Sequence, residues 1–185
     1  MLKAARKVFA KKSFLEATVE DIIHQAQVSR GTFYIYFHNK MDIFLNLVRE
    51  FLEEMTIEME ASWHSPDPAV TVEATVTGFL RAVSRRRDII KVLFEVSHYN
   101  ADVARERSSL REGLRARIRS HLLLAQAAGL VQDLDLDVTA SVLGGMLEHQ
   151  AYLACSVDTG GNLEEVMLTV ATIWRHAIFL LPKID

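Results

Sequence analysis

The chain has 185 residues; half are apolar and about a quarter are charged, a balance typical of a folded protein with a substantial core. Eight glycines and three prolines exclude collagen and low-complexity linkers and disfavour turn-rich all-β folds. The apolar runs are only a few residues long, well below the roughly 18 that a membrane span needs. A single cysteine excludes an internal disulfide framework and suits a reducing compartment, so we expect a cytoplasmic protein.

The charge is divided unevenly along the chain. Residues 1–49 contain 8 Lys and Arg against 4 Asp and Glu, whereas residues 50–185 contain 13 against 20. A small basic segment joined to a larger acidic one suggests a module that binds a polyanion, attached to a domain with another task.

Almost every segment shows the helical period, and none shows a convincing strand alternation, so the predicted fold class is all-α. A short first helix covers 2–9. A second helix of about two turns follows Thr18, and a third runs from Ser29 to about Phe37. Asn39 opens a long helix that ends near Trp63. The later helices are predicted over 69–84, 88–97, 101–127, 137–156 and 162–181.

Three short basic helices with a tight break before the third describe a helix-turn-helix, whose third helix lies in the DNA major groove. Arg30 can donate two hydrogen bonds to guanine, and Thr32 can meet a thymine methyl or a phosphate. Gly31 lets the backbone approach the duplex closely. The hydroxyls of Tyr34 and Tyr36 suit phosphates.

Lys40 follows as a phosphate anchor at the start of the long helix. Phe33 and Phe37 lie four residues apart and can pack inward, which leaves the polar positions of the third helix on its exposed surface.

The sequence around these residues closely resembles the N-terminal domain of the TetR (tetracycline-repressor-like) family. The resemblance rests on the stretches 18–23, 26–37, 39–40 and 43–44, whereas the rest matches only in length and helical layout. It implies an N-terminal three-helix helix-turn-helix DNA-binding head over 1–45 and a C-terminal helical ligand-binding and dimerisation domain over 46–185. Such a protein is a homodimeric repressor that binds a palindromic operator in double-stranded DNA and is released by a small-molecule effector.

By position within this resemblance, Arg30, Thr32, Tyr34, Tyr36 and Lys40 look like DNA contacts, and Thr18 looks like a phosphate contact. The sequence departs from the usual pattern at several places. Gln27 and Ser13 stand where glycine is frequent, and Tyr36 stands where histidine is common. The basic arm that usually precedes the first helix is nearly absent from this sequence.

Two further sites are expected after about residue 50. Met and aromatic side chains suggest a pocket for an apolar or aromatic effector. Its predicted lining is Phe51, Met55, Met59, Trp63, Phe79, Phe94, His98, Ile118, Leu122, Met146, His149 and Gln150. The last two helices are apolar on more than one face, which indicates a dimer interface. Its predicted residues are Val142, Met146, Val166, Val170, Trp174 and Ile178.

Other classes stay open on the sequence alone. The chain could be a helical ligand-binding or interaction module whose head has lost specific DNA binding. It could also be a small helical enzyme, but no catalytic constellation, phosphate-binding loop or metal-ligand spacing is present. We therefore expect no catalysis, no metal and no cofactor. The arginines at 107, 111, 115 and 119 favour a solvated, ion-paired face over an anion site.

Overall fold

The computed structural model describes residues 1–61, 68–156 and 162–179, and these form nine α-helices. The predicted all-α fold is confirmed. The helices are α1 (Leu2–Phe9), α2 (Val19–Ala26), α3 (Arg30–Tyr36), α4 (Lys40–Ala61), α5 (Pro68–Arg85), α6 (Arg87–Ser97), α7 (Ala101–Ala127), α8 (Leu136–Ser156) and α9 (Leu163–Ile178).

Side-chain caps fix where several of these helices begin. Thr18 and Asp21 form a reciprocal capping box at α2, in which the Thr18 hydroxyl accepts from the Asp21 amide and Asp21 accepts from the Thr18 amide. Ser29 accepts from the amide of Thr32 at 3.0 Å and starts α3. Asn100 and Asn162 cap α7 and α9 in the same way. These caps lie where the sequence predicts helix starts, because each satisfies amides that the first turn leaves unpaired.

The C-terminal ends of α7 and α9 are set by the backbone and not by side-chain caps. Gly129 adopts a φ of +69° just beyond α7, the left-handed conformation that commonly ends helices. The last helix was predicted to reach residue 181, but α9 ends at Ile178. The reason is that Phe179 is extended and forms an isolated antiparallel bridge with Val131, which replaces the next turn of helix.

Aromatic packing holds the first three helices against the start of α4. The rings of Phe9, Phe14 and Phe44 lie within 5.3–5.8 Å of one another. Ile22 from α2 and Phe33 from α3 are fully buried in the same cluster. Because Phe33 is anchored there, the opposite side of α3 faces outward.

One continuous core runs from α1 to α9. The helix α4 joins the two ends of the molecule, since its first turns pack on α1 and its later turns pack on α5 and α6. Behind it, α5 packs on α8 and α9, and α7 packs on α6 and α8. The helix α4 therefore connects the first three helices to the later ones through this core, so a displacement of α4 would affect the packing of both.

Candidate nucleic-acid interface and internal cavities

The turn before α3 sets the direction of that helix. Gln27 adopts φ 56° and ψ 42°, a left-handed conformation, and its amide and that of Val28 close the end of α2 on the carbonyls of His24 and Ile23. Glutamine therefore takes up the conformation that glycine would adopt more easily. The tight turn therefore forms with glutamine at this position, at a cost in backbone strain.

The outward side of α3 is called here the recognition face. It comprises Arg30, Gly31, Tyr34, Ile35 and Tyr36, all of which are exposed. A Cβ added at Gly31 would meet only the Ser29 hydroxyl, at 3.7 Å, so the missing side chain at this position is not required by packing. Because Gly31 has no side chain, the backbone of α3 could approach DNA closely at this position.

Arg30 is held in place without being buried. Its guanidinium lies 3.4 Å from Glu20 on α2 and 5.8 Å from the centre of the Tyr34 ring. A hydrogen bond with Tyr34, and to a smaller extent the charge of Glu20, raise the pKa of Arg30 above its usual value. Exposed pairs of this kind contribute little, so DNA can displace Glu20 at small cost.

Three other predicted DNA contacts already have partners within the head. Thr18 is exposed, but its hydroxyl belongs to the α2 capping box. The Thr32 hydroxyl lies 2.8 Å from that of Ser29. Lys40 is partly buried: its ammonium donates to the carbonyls of Phe14 at 2.5 Å and Ala17 at 2.6 Å. The structure thus gives Lys40 a role in closing the α1–α2 connection, and its contact with phosphate stays a prediction.

Sequence reasoning missed Ile35 on the recognition face. Its side chain is 77% exposed, which is a high value for an isoleucine between two tyrosines. An apolar side chain on a helix that reads DNA suits the methyl group of thymine. The signal was available, because Ile35 lies four residues after Gly31 and therefore on the same side of the helix.

A small cavity of about 60 Å³, the α4 cavity, lies in the larger domain. Four residues predicted for the effector pocket line it: Phe51, Met55, Phe79 and Phe94. The sequence analysis did not assign three of its other neighbours, Arg107, Arg111 and Glu148, to a pocket. The two arginines were predicted to lie on a solvated face, because their convergence on Glu148 depends on the packing of α7 against α8.

These three side chains form a compact ion-pair cluster. The carboxylate of Glu148 accepts from Arg107 at 2.7 Å and from Arg111 at 2.7 Å, and the Arg107 guanidinium lies 4.5 Å from the centre of the Phe94 ring. Burial raises the pKa of Glu148, but the hydrogen bonds from Arg111 and Arg107 outweigh it and lower the pKa overall. The cluster closes one side of an otherwise apolar cavity.

The remaining predicted pocket residues do not meet at this cavity. Ile118 and Leu122 line a second, larger cavity beside α9. His98 ends α6, with its Nδ1 2.6 Å from the Phe94 carbonyl oxygen, and lines neither cavity. The side chain of Met59 and the whole of Trp63 lie outside the described residues. The prediction of one pocket for all these residues is wrong, because α7 is long enough for its different turns to line two separate cavities.

Three more residues that were predicted to line the effector pocket face outward instead. Met146, His149 and Gln150 line a surface groove between α8 and α9 together with Val166 and Ile173. They therefore belong to the outer side of these helices and not to the interior. Val142 is exposed on the same helix, and Met146 and Val166 are half-buried.

Two residues that were predicted to lie in the dimer interface are instead buried inside the subunit. Trp174 and Ile178 are buried inside the subunit and line the cavity beside α9, while Val170 is buried at the floor of the groove. The apolar positions of α9 are divided between two faces. One face packs on α5, and the other leaves Ile173 exposed.

The described residues contain neither a membrane-spanning helix nor a metal-ligating cluster. No helix there is long and apolar enough to cross a membrane. Within the same parts of the chain, no group of three or more His, Cys, Asp or Glu side chains could hold a metal ion.

Comparisons with known proteins agree with this architecture. Residues 1–47 match the model of the family described as bacterial regulatory proteins, tetR family. An uncharacterised helix-turn-helix transcriptional regulator of Bacillus subtilis, YdgC, is 25% identical, with 88% of this chain and 84% of that protein covered. A probable acrEF/envCD operon repressor of Escherichia coli is 27% identical, with 78% and 70% covered.

The solved structures extend the likeness through the whole fold. The fatty acid degradation regulator FadR from Bacillus halodurans has a TM-score of 0.80 at 19% identity, with 94% of this chain and 91% of that chain covered. Residues 1–47 are therefore similar to the tetR family of bacterial regulatory proteins, and the whole chain shares the fold of solved regulators such as FadR.

Proposed function

We propose that this protein is a homodimeric repressor that binds a palindromic operator and is released by a small apolar or aromatic effector. The observation that carries the proposal is the recognition face. Burial of Phe33 fixes α3 against the head, while Arg30, Tyr34, Ile35 and Tyr36 stay exposed on its other side. Base-edge contacts by such residues give sequence preference, and the surrounding basic charge gives affinity that depends on salt.

Dimerisation would supply the second head. The outer side of α8 and α9 carries a groove lined in part by Ile173, which is 46% exposed. Val142, on α8, is 58% exposed. Two copies related by a two-fold axis would bury this surface as a four-helix interface. A dimer of this kind reads two half-sites about 34–36 Å apart, one turn of DNA from centre to centre.

The size of the α4 cavity suggests how an effector would act. At about 60 Å³, it is far smaller than the roughly 300–1,000 Å³ of sites that hold drug-sized ligands. An effector could enter only if Phe51 and Met55 on α4 moved away from α6 and α7. It would therefore bind selectively to a conformation in which α4 is displaced, which is the condition for shifting the equilibrium.

Contacts between the head and the larger domain would transmit this movement. Arg6 on α1 makes two hydrogen bonds to Asp88 on α6, at 2.6 and 3.1 Å, and one to the Arg85 carbonyl at 2.9 Å. The same α6 lines the α4 cavity through Ile90, Leu93 and Phe94. Widening the cavity would thus change the position of α1 and of α3 behind it.

The proposal places the protein in the cytoplasm, with the DNA that it regulates. Burial raises the pKa of the Cys155 thiol to about 11, so this cysteine stays protonated and unreactive at neutral pH. It contributes to packing.

The first experiment is selection of bound sequences from a random duplex pool at physiological salt. We expect an enriched inverted repeat, and its half-site spacing gives the separation of the two heads. If the folded dimer enriches no sequence, with or without candidate effectors, the head has lost specific binding and the chain is a ligand-binding or interaction module.

The second experiment uses the selected operator and a panel of apolar and aromatic compounds. An effector should weaken operator binding by about 5- to 150-fold, the usual range of coupling between sites. Ala151→Leu fills the α4 cavity, since Ala151 is buried in its lining, and should retain operator binding but lose the response. Retained operator binding shows that the variant is folded. An unchanged response would place the effector elsewhere.

A further inference from the structure

Gly31 and Ile35 form the outermost line of the recognition face. Each lies two residues from the buried Phe33, one before it and one after it, which turns both about 200° away from Phe33 around the helix axis. A Cβ at Gly31 would meet only the Ser29 hydroxyl, and glycine itself has no side chain to offer there. The side chain of Ile35 is therefore the first that a surface lying along this line would meet.

Ile35 is not held by the core of the head. Phe33 lies in that core and Phe37 packs against it, whereas Ile35 is 77% exposed, the highest value for a large apolar side chain in the described parts of the chain. The neighbouring Tyr34 and Tyr36 are less exposed, at 44% and 66%. A single exposed isoleucine needs no explanation on an ordinary surface. This one stands at the centre of the surface that would enter the major groove, so its chemistry bears on what that surface recognises.

The major groove offers an apolar side chain one favourable partner. Each base edge there presents hydrogen-bond donors or acceptors, and thymine adds a C5-methyl group. An isoleucine pressed against a donor or acceptor removes its water and returns no hydrogen bond, which is unfavourable. Against the thymine methyl it buries apolar surface on both sides. Ile35 therefore favours thymine, and its β-branched side chain is stiff enough to keep one position against the methyl group.

We propose that Ile35 reads the methyl group of one thymine in each half-site of the operator. The contact is apolar, so this base is selected by its shape and not by its hydrogen bonds. Arg30 lies five residues earlier, about 7.5 Å along the helix, so its predicted guanine contact falls on a different base pair. The proposal rests on the proposed function, because it takes α3 to lie in the major groove, and it adds the base and the chemical group that one residue recognises.

The test replaces thymine by deoxyuridine, which lacks the C5-methyl group and keeps every hydrogen-bonding group of the base. Each thymine of the operator selected by the parent protein is replaced in turn, first in one half-site and then in both, and binding is measured by titration at fixed salt. We expect one position at which uracil in one half-site weakens binding by about 4-fold, the effect of removing one methyl group from an apolar contact. Changing both half-sites should weaken it by about 16-fold, since the effects of well-separated positions add.

Variants of Ile35 connect this discrimination to the side chain. Ile35→Ala should weaken binding to the thymine operator and remove the difference between the thymine and uracil operators. Ile35→Val, which keeps a branched side chain, should retain most of that difference. Leu15→Ala, at an exposed leucine in the segment before α2, is the control and should leave both affinities unchanged. Thermal melts followed by circular dichroism show whether each variant is folded.

Three results would overturn the assignment while the repressor function stands. The first is equal binding of the thymine and uracil operators at every position. The second is a uracil penalty that persists in Ile35→Ala, which would give the methyl contact to another side chain, such as Thr32. The third is an equal loss in Ile35→Ala on both operators, which would place Ile35 against the sugar–phosphate backbone. If the folded dimer selects no operator, the proposed function and this proposal fail together.

Discussion

Arg30 illustrates how a single exposed side chain can be prepared for recognition. Glu20 and the ring of Tyr34 hold its guanidinium at the surface, where a bidentate contact with guanine is possible. We expect Arg30→Ala to weaken specific operator binding by about 1–3 kcal/mol and to relax the preference at one base. Binding titrations on the operator and its single-base variants measure both effects.

A suitable control for Arg30 is Arg105→Ala, which removes an exposed arginine from α7, far along the chain from the head. It should leave operator binding unchanged. If Arg30→Ala instead weakened binding equally on every sequence and reduced the salt dependence, Arg30 would be a phosphate contact.

Backbone strain at Gln27 gives a second prediction at this scale. A non-glycine residue in the left-handed region costs about 1 kcal/mol or more, so Gln27→Gly should raise the free energy of unfolding by about 1 kcal/mol and retain operator binding. The matched control is Gln25→Gly, an exposed glutamine within α2, which should lower stability by about 0.5–1 kcal/mol. Urea denaturation checks both; a stability loss in Gln27→Gly would show that the glutamine side chain contributes more than the strain costs.

His121 makes stability depend on pH in a defined window. Its pKa is lowered from 6.5 to about 4 in the folded protein, so the unfolded chain takes up a proton first as pH falls. The stability it contributes is complete above pH 6.5 and is lost as pH falls through 4. His121→Gln should flatten the unfolding free energy across that window, as measured by denaturation at several pH values.

The loss of unfolding free energy that begins below pH 3.8 should remain in His121→Gln. It comes from Asp21, whose pKa is lowered to about 2 by hydrogen bonds from Lys12 and Thr18. An equal slope between pH 6.5 and 4 in the parent protein and His121→Gln would contradict the assignment to this histidine.

At the scale of helices, the contact between α1 and α6 is the one on which the proposed repressor mechanism depends most. Arg6 and Asp88 are partly buried, and their hydrogen bonds raise the pKa of Arg6. A charge-assisted pair of this kind contributes about 1.5–3 kcal/mol. Asp88→Asn should therefore destabilise the protein by about 1–2 kcal/mol, which chemical denaturation would measure.

A double-mutant cycle with Arg6→Gln separates this pair from other effects of the substitutions. Glu112→Gln, which breaks the exposed pair with Arg115 on α7, is the control and should cost less than about 0.5 kcal/mol. If this pair transmits the movement of α4, Asp88→Asn should also weaken the response of operator binding to effector. A coupling energy near zero between Arg6 and Asp88 would remove this contact from the mechanism.

For the whole molecule, the decisive question is whether α8 and α9 pair two copies of the chain. Ile173 lines the groove between these helices and is half-exposed, so a charge there would be buried in the dimer without a partner. We expect Ile173→Glu to be monomeric in sedimentation experiments and to lose high-affinity operator binding. Ile57→Glu, at a more exposed isoleucine on α4, should stay dimeric. A dimeric Ile173→Glu would place the interface on another surface.

The sequence by itself determined the helices and the recognition face, because both depend on local chemistry. Thr18, Ser29 and Asn162 cap the turn that follows them, and Phe33 four residues before Phe37 fixes which side of α3 faces inward. Only the tertiary structure decided how the larger domain divides its apolar surface. Trp174 and Ile178 have the same periodicity as interface residues, yet they are buried inside the subunit, while Met146 and His149 face outward. A helix that is apolar on two faces does not show in its own sequence which neighbour covers each face, since that depends on contacts between residues far apart in the chain.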